Sequence, residues 1–194
     1  MDLVWFDDTL VFAGPDTEAT VVTSAQGRIT WALRFPPGVA HALLDIAADN
    51  LVNQRVELRD LANLPASALE TAHADPAGAL DQIAAVLWHW AEPDLVNLRL
   101  AASLDRAARA GLGVRAIAQQ HGLSERSLRR LSDRVFGYGP KTLSSIHRLQ
   151  HALRLARSST SLGEAAAVAG YADQAHLSQE ARRLTGTTLR ALIG

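Results

Sequence analysis

Residues 114–136 read VRAIAQQHGLSERSLRRLSDRVF and contain two short amphipathic segments that meet at a glycine. Apolar residues recur at helical spacing before Gly122, which supplies the flexible backbone that the C-terminal end of a helix favours. Ser124 is a candidate N-cap, because its hydroxyl can accept a hydrogen bond from a free amide of the next helix. The apolar stripe of that helix consists of Leu128, Leu131 and Val135. This arrangement predicts a helix-turn-helix motif, whose second helix would enter a major groove of DNA.

The pattern returns about fifty residues later in LGEAAAVAGYADQAHLSQEARRL, residues 162–184. Gly170 stands where Gly122 stood, and Asp173 replaces Ser124 as the expected cap. Repetition of this kind implies a duplicated structural unit. The two expected motifs and the linker helix between them occupy residues 114–137, 162–186 and 140–157.

Three phrases of the C-terminal half resemble the AraC/XylS family of transcription regulators. They are GLSERSLRRL, GYGPKTL and GYADQAHLSQEARRLTG, within about residues 105–194. The resemblance implies a DNA-binding domain with two helix-turn-helix motifs and base-reading side chains at Arg126, Arg129 and Arg130.

A second stretch, WALRFPPGVAHALLDIAADNLVNQRVELRDL, resembles the effector-domain region of some actinobacterial AraC-like regulators. Those relatives usually have additional strands upstream, so this resemblance implies an abbreviated domain or a start further upstream. A partial sheet exposes an edge strand, and such an edge often pairs with another chain.

Charge is distributed unevenly along the chain. Residues 1–104 carry 5 basic and 14 acidic side chains, a net charge of −9, whereas residues 105–194 carry 14 and 6, a net charge of +8. This asymmetry predicts a nucleic-acid-binding half joined to a half with another task. Residues 105–160 hold the whole positive excess, so the first motif and the linker helix should attract phosphate most strongly.

Several classes of protein are disfavoured by what the sequence lacks. The 194 residues include no cysteine, which excludes disulfides, thiolate metal sites and cysteine nucleophiles. No apolar run is long enough for a membrane span, and the acidic start MDLVWFDD is unlike a secretory signal. No Gly-rich phosphate loop or persuasive Ser-His-Asp spacing is present. We predict no enzymatic activity, no cofactor, no metal and a cytoplasmic location.

The expected fold class is α+β, with a small antiparallel sheet in an N-terminal part and an all-α tandem helix-turn-helix domain after it. We place an effector- or dimerisation-type domain at residues 1–92 and the DNA-binding domain at residues 93–194. Residues 3–35 contain short β-forming runs, among them Thr20–Thr23, between turn residues. Helices are expected over Val39–Ile46, from Asp75-Pro76 to Trp90 and from Pro93-Asp94 to about Ala110, and a loop with short helical pieces over Leu51–Leu64.

The second helix of the first motif carries most of the DNA-binding candidates. Arg126, Arg129 and Arg130 fall on one face, and an arginine fork can bond to O6 and N7 of guanine. The further candidates for base or phosphate contacts are Ser124, Glu125, Ser127 and Arg134. A merely solvated face of arginines is the alternative, because 18 of the 19 basic residues are arginine.

The second motif is expected to read DNA more weakly. Its candidates are Gln174, Ala175, His176, Ser178, Gln179 and Arg182. Glutamine can bond bidentately to adenine, and alanine can touch a thymine methyl, but residues 161–194 carry no net charge. Ala181 stands where the family usually has a bulky aromatic, whose loss costs about 3–5 kcal/mol where nothing fills the space. We predict a less stable second motif, and a smaller loss of specific binding for Gln174→Ala than for Arg130→Ala.

Other features are assigned structural roles. Ser161 and Glu164 fit a capping box. His147 and His151 have a spacing that can bind zinc, but a solvated helix face is the favoured interpretation, because no further ligand lies nearby in sequence. The aromatic candidates for an effector pocket or a dimer surface are Trp31, Trp88, His89 and Trp90, and ordinary core packing is favoured for them. The pair Asp7-Asp8 is read as a turn.

The sequence therefore predicts a sequence-specific DNA-binding transcription regulator of AraC type, an activator or a repressor. Its expected partners are double-stranded DNA, a small-molecule effector, a second copy of the chain and RNA polymerase, with no membrane. The acidic half would bind the effector, dimerise, or shield the basic half. The alternative is a truncated regulator that pairs with a related full-length regulator and titrates it.

Overall fold

The computed structural model describes residues 1–17, 29–63, 71–158 and 161–194, and it has the predicted α+β fold class. A small antiparallel sheet lies in the N-terminal part, and helices dominate the rest of these ranges. Among the described helices, none combines the length and the apolar character that a membrane crossing requires.

Within the described ranges, four strands form the sheet in the order β3-β1-β2-β4, and each pairing among them is antiparallel. Their bounds are Asp2–Phe6 for β1, Thr9–Ala13 for β2, Trp31–Arg34 for β3 and Arg55–Glu57 for β4. Between β1 and β2, Asp7 and Asp8 have φ angles of 46° and 61°. A two-residue hairpin turn favours this left-handed backbone, and aspartate tolerates it. The predicted turn is confirmed.

The segment after β3 differs in part from the prediction. The bounds are Val39–Leu44 for α1, Ala48–Leu51 for a 3₁₀ helix and Leu58–Leu61 for α2. Strand β4 lies within the predicted loop, so that prediction is wrong there. Three residues are too few for an alternating pattern to reveal a strand. The run Thr20–Thr23 lies outside the described residues.

The later helices begin and end close to where the sequence predicts. Their bounds are Pro76–Ala91 for α3, Leu95–Arg109 for α4, Val114–Gln120 for α5, Glu125–Phe136 for α6, Pro140–Arg157 for α7, Leu162–Val168 for α8, Gln174–Thr185 for α9 and Leu189–Ile193 for α10. The carboxylate of Asp75 accepts a hydrogen bond from the amide of Gly78 at 3.1 Å, and Pro76 follows it as the first helical residue. Asp94 also caps its helix, α4, where its carboxylate accepts a hydrogen bond from the amide of Val96, two residues later.

Three hydrophobic clusters organise the described chain. The first joins the sheet to α1 and α3 through Leu3, Phe12, Leu43 and Ile83. The second holds α4, α5 and α6 together through Leu104, Ile117 and Leu128, and the third holds α8, α9 and α10 through Ala166, Leu177 and Leu189. Helix α7 contributes Leu143 to the second cluster and Leu149 to the third. One continuous helix is thus packed into the cores of both motifs and fixes their separation.

The N-terminal part packs against the C-terminal end of α6. Gly137 ends this helix with a φ of 82°, and a Cβ there would lie 2.2 Å from Cγ of Pro15. Gly38, with a φ of 83°, is equally close to the helices, since a Cβ there would lie 2.6 Å from the Cβ of Ala101 and 3.1 Å from Cγ1 of Val135. Both contacts require a residue without a side chain. They hold the end of α6 and leave its first turn exposed.

Candidate nucleic-acid interface

Helices α6 and α9 have the same length and the same kinds of capping residue at both ends. Each has 12 residues. Each N-cap side chain accepts a hydrogen bond from the amide three residues later, at 3.0 Å for Ser124 and 2.7 Å for Asp173. Each helix ends at a glycine with positive φ, Gly137 or Gly186. The caps fix the register, so a residue of α6 corresponds to the residue of α9 that is 49 positions later, the offset between Ser124 and Asp173.

The turns that precede these helices also match. Gly122 and Gly170 have φ angles of 64° and 79°. The residue after each glycine donates its amide to a carbonyl five residues earlier at 2.9 Å, from Leu123 in the first motif and from Tyr171 in the second. The second turn has one residue more before its cap. The duplicated unit that the sequence predicts is confirmed.

The arginines of the first motif lie on the exposed side of α6. Arg126, Arg129 and Arg130 are all exposed, and so is Arg134. Within the described ranges, no ion pair holds Arg126 or Arg130, and Arg129 has only a long contact with Asp133 at 3.8 Å. These guanidinium groups are therefore free to approach bases or phosphates.

The two serines at the start of α6 form the hydrogen bonds that cap this helix. The hydroxyl of Ser124 accepts the amide of Ser127 and donates to Oγ of Ser127 at 2.9 Å. Ser124 is thus the N-cap, as predicted. Glu125 follows it and is exposed. The contacts of these three residues with DNA stay predictions.

The exposed face of α9 is polar and mostly uncharged. Gln174, Ala175 and Gln179 are exposed, as is Arg182 nearer the end of the helix. The hydroxyl of Ser178 donates to the backbone carbonyl of Gln174 at 2.8 Å. The side chain of Gln174 or Gln179 can bond to adenine. Because glutamine is uncharged, this face can contact bases without attracting phosphate strongly.

His176 belongs to the turn as much as to the exposed face. Its ring meets Tyr171 edge-on at 5.2 Å, and its Nδ1 accepts the amide of Ala172 at 3.4 Å. An imidazole held by these contacts is less available to a base. A contact between His176 and DNA remains a prediction.

Small buried residues occupy one matching position in both motifs. Ala181 has no exposed surface, and Ser132, its counterpart in α6, is 1% exposed. The resemblance singled out Ala181 alone, but the first motif has an equally small residue at the matching position. The hydroxyl of Ser132 has no hydrogen-bond partner in the described part of the chain. The expected instability of the second motif therefore needs a cause other than this position alone.

A charged cluster ties α9 to the linker helix. The carboxylate of Glu180 accepts two hydrogen bonds from Arg183, at 2.7 and 3.0 Å, and lies 3.6 Å from the guanidinium of Arg148 on α7. Arg148 in turn stacks over the ring of Tyr171 at 4.4 Å. The hydrogen bonds from Arg183 lower the pKa of Glu180 to about 2. The spacing of Glu180 and Arg183 could have revealed their pair, whereas nothing in the sequence links them to Arg148.

A second polar pair corrects the prediction for His147. This residue does not lie on a solvated helix face, because it is buried and its Nε2 is 2.7 Å from Oδ1 of Asp105 on α4. Burial raises the pKa of Asp105, but the hydrogen bonds and positive charges of His147 and Arg109 together outweigh burial, so this pKa is lowered. The partners are 42 residues apart, which is why the sequence could not show them. His151 is exposed, and no metal-binding cluster occurs among the described residues.

The tryptophans correct a second prediction. Trp31, Trp88 and Trp90 are 42%, 44% and 53% exposed, and His89 is exposed as well. Core packing is therefore wrong for these residues, because they lie on the surface of the N-terminal part. At Ser161, by contrast, the predicted cap is confirmed, since its hydroxyl accepts the amide of Glu164 at 3.2 Å.

Residues 117–193 match the model of a protein family described as a helix-turn-helix domain. A crystal structure of a probable AraC family transcriptional regulator from Rhodopseudomonas palustris CGA009 is similar at 20% identity and a TM-score of 0.43, over 49% of this chain and 94% of that chain. No curated protein matches the chain significantly.

The capped helices, the matched turns and the family match define this part of the chain as a DNA-binding helix-turn-helix domain. Two such motifs packed on one linker helix are the arrangement that the resemblance to the AraC/XylS regulators predicts.

Proposed function

We propose that the regulator reads two adjacent major-groove segments of a specific operator. The observation that carries this proposal is the pair of matched helices α6 and α9, whose first turns are both exposed. Arg126, Arg129 and Arg130 would contact bases or phosphates in one segment. Gln174, Ala175 and Gln179 would contact the other. Recognition helices that enter successive segments of one DNA face lie about one helical turn, ~34 Å, apart.

The proposal assigns different tasks to the two parts of the chain. Residues 93–194 would bind DNA, and residues 1–92 would respond to a small effector and pair two copies of the chain. The separate hydrophobic cluster of the sheet, α1 and α3 supports this division. A shield over the basic half is not favoured, because the first turn of α6 is exposed while the N-terminal part is in place. Contact with RNA polymerase, as in an activator, is part of the same proposal.

The proposal is tested by fluorescence anisotropy with the promoter region beside the protein's own gene and with scrambled DNA, at two salt concentrations. We expect the promoter fragment to bind well above the scrambled fragment, and Arg130→Ala to remove most of that difference. Equal affinity for both fragments, lost as salt rises, would leave phosphate attraction alone and contradict specific reading.

Pairing with a related regulator is a second candidate function. The observation that favours it is the exposure of Trp31 on β3, an end strand of the described sheet, together with Trp88 and Trp90. Exposed tryptophan is enriched at protein interfaces. Sedimentation of the chain mixed with a full-length AraC-type regulator from the same organism tests it. A hetero-oligomer is expected, and free chains at micromolar concentration would contradict it.

A further inference from the structure

A cavity of about 240 Å³ lies between α1 of the N-terminal part, α4 and the C-terminal half of α6. Helix α1 and its end contribute His41, Ala42 and Asp45, and helix α4 with its cap contributes Asp94, Asn97 and Leu98. The C-terminal half of α6 contributes Leu131 and Arg134. The three helices thus line one cavity that is partly open to solvent.

The walls of the cavity are mostly apolar, with a few polar groups. The apolar surface comes from Ala42 of α1, from leucines and Ala101 of α4, and from Leu131 and Val135 of α6. Its described lining includes two aspartates, Asp45 and Asp94, and one arginine, Arg134, so acidic side chains outnumber basic ones there. A concave apolar site with a few convergent polar groups is the usual form of a small-molecule site.

The carboxylates have capacity left for a ligand. Asp94 uses one oxygen, Oδ1, to cap α4 through the amide of Val96 at 2.8 Å. Asp45 forms no hydrogen bond or ion pair with another described residue. Nδ1 of His41 lies 2.7 Å from the carbonyl of Ile46, so it must be the donor, and Nε2 of a neutral ring is left as an acceptor. The polar side of the cavity therefore offers mainly acceptors and excess negative charge.

We propose that this cavity binds a small organic amine, with its ammonium group at Asp45 and Asp94 and its apolar body against the leucines. This inference rests on the proposed control by a small effector and names where the effector binds and its chemical class. A cavity of about 150 Å³ is enough for benzene in an engineered protein, so 240 Å³ admits an amine with an apolar body of that size. An anionic ligand is disfavoured, because it would meet two carboxylates.

The site is placed to influence DNA binding. Arg134 and Leu131 lie on the same helix as Arg126 and Arg130, one to two turns further along. A ligand that fills the cavity links α6 to α1 and α4 and so restricts how the recognition helix can tilt. A ligand affects DNA binding only by its differential affinity for the two arrangements.

Titration calorimetry of the DNA-free full chain tests the site, with benzylamine, benzyl alcohol and benzoate as probes. We expect benzylamine to bind, benzyl alcohol to bind at least about tenfold more weakly, and benzoate not to bind. The double variant Asp45→Asn, Asp94→Asn should weaken benzylamine roughly ten- to hundredfold and leave benzyl alcohol unchanged. Asparagine keeps the cap of α4 and tolerates the left-handed backbone of Asp45, whose φ is 51°.

Two controls keep the test specific to the cavity. Asp81→Asn removes an exposed carboxylate of α3 and should leave benzylamine binding unchanged. Ala42→Phe fills the cavity and should abolish the binding of both neutral and cationic probes. The proposal is overturned if benzylamine fails to bind at millimolar concentration, binds no more tightly than benzyl alcohol, or binds equally to the double variant.

Operator binding without a probe distinguishes this inference from the proposed function. The Asp45→Asn, Asp94→Asn variant should bind DNA like the wild type when no amine is present. If benzylamine binds but no operator is recognised, the cavity site stands and the regulatory function fails. If an operator is recognised but no amine binds, the opposite holds.

Discussion

Helices α6 and α9 have equal lengths and matching caps but different exposed faces. The caps are Ser124 and Gly137 for α6, and Asp173 and Gly186 for α9. Three arginines of α6, at positions 126, 129 and 130, correspond to Ala175, Ser178 and Gln179 of α9. The first set carries three positive charges, and the second carries none. The two motifs thus share one backbone arrangement, but only the first has a positively charged exposed face at these positions.

The two motifs also differ in what supports them. The first lies between the N-terminal part, through Pro15 and Gly38, and the linker helix. The second is held chiefly by α7, through its hydrophobic cluster and the contacts of Arg148. A motif packed on two sides keeps its recognition helix more rigid than one packed on a single helix. We conclude that the first motif should dominate specific affinity and the second should depend more on its local contacts.

The largest expected effect comes from the matched core leucines. Leu128 and Leu177 both have no exposed surface, so replacing either by alanine should cost about 2–5 kcal/mol of unfolding free energy. We expect Leu177→Ala to release the second motif alone, whereas Leu128→Ala should also loosen the N-terminal part. Hydrogen exchange of amides in α9 and β1 measures the difference. Equal exchange changes in both regions for both variants would contradict unequal support.

Truncating one exposed side chain of α6, and then its counterpart in α9, should show how much each helix contributes to specific DNA binding. Arg130→Ala should cost roughly 1–3 kcal/mol of specific binding, and its counterpart Gln179→Ala should cost less, as should Gln174→Ala. The reason is that only Arg130 combines charge with a bidentate fork. Anisotropy titrations against one operator give the values. If the arginine and glutamine variants lose affinity equally, the functional contrast between the helices is wrong.

The cluster of Glu180, Arg183 and Arg148 should affect the stability of the second motif only. Glu180→Gln should lower its stability by roughly 1–2 kcal/mol, after allowance for solvent around the half-exposed Arg183. Glu164→Gln, at an exposed carboxylate in the same motif, is the matched control and should change little. Urea unfolding followed by exchange in α9 measures both. Similar losses for the two variants would remove the structural role of the cluster.

The pH dependence of the cluster has a defined direction. The pKa of Glu180 is about 2 in the folded chain and 4.5 without its partners. The unfolded chain therefore binds the proton first as the pH falls. The contribution of Glu180 is complete above about pH 4.5 and is lost towards pH 2. Glu180→Gln should lack this component, and a wild-type curve that parallels the variant between these pH values would contradict it.

The smallest expected effect is at Ser132. Replacing it by alanine removes a buried hydroxyl that has no partner in the described part of the chain, and it reproduces the residue that α9 already has at Ala181. We expect a gain in stability of up to about 1 kcal/mol. Thermal unfolding measures it. A clear loss would mean that the hydroxyl has a bonding role in solution.

Local patterns explain how much of this architecture could be predicted. The caps at Ser124, Asp173 and Asp75 and the glycines after the helices act within a few residues, so the sequence reveals them directly. Contacts between distant residues leave no such pattern. Asp105 and His147 meet only because α4 and α7 pack together. The exposure of Trp88 and the cavity beside α6 depend on tertiary packing in the same way.

The most direct test of unequal reading is the affinity of the wild-type chain for operators in which one half-site is scrambled. Scrambling the segment that α6 is proposed to contact should lower affinity roughly hundredfold or more, because several base contacts would be lost together. Scrambling the segment that α9 is proposed to contact should lower affinity by less than about tenfold. Equal losses for the two half-sites, or a greater loss for the α9 segment, would contradict the account.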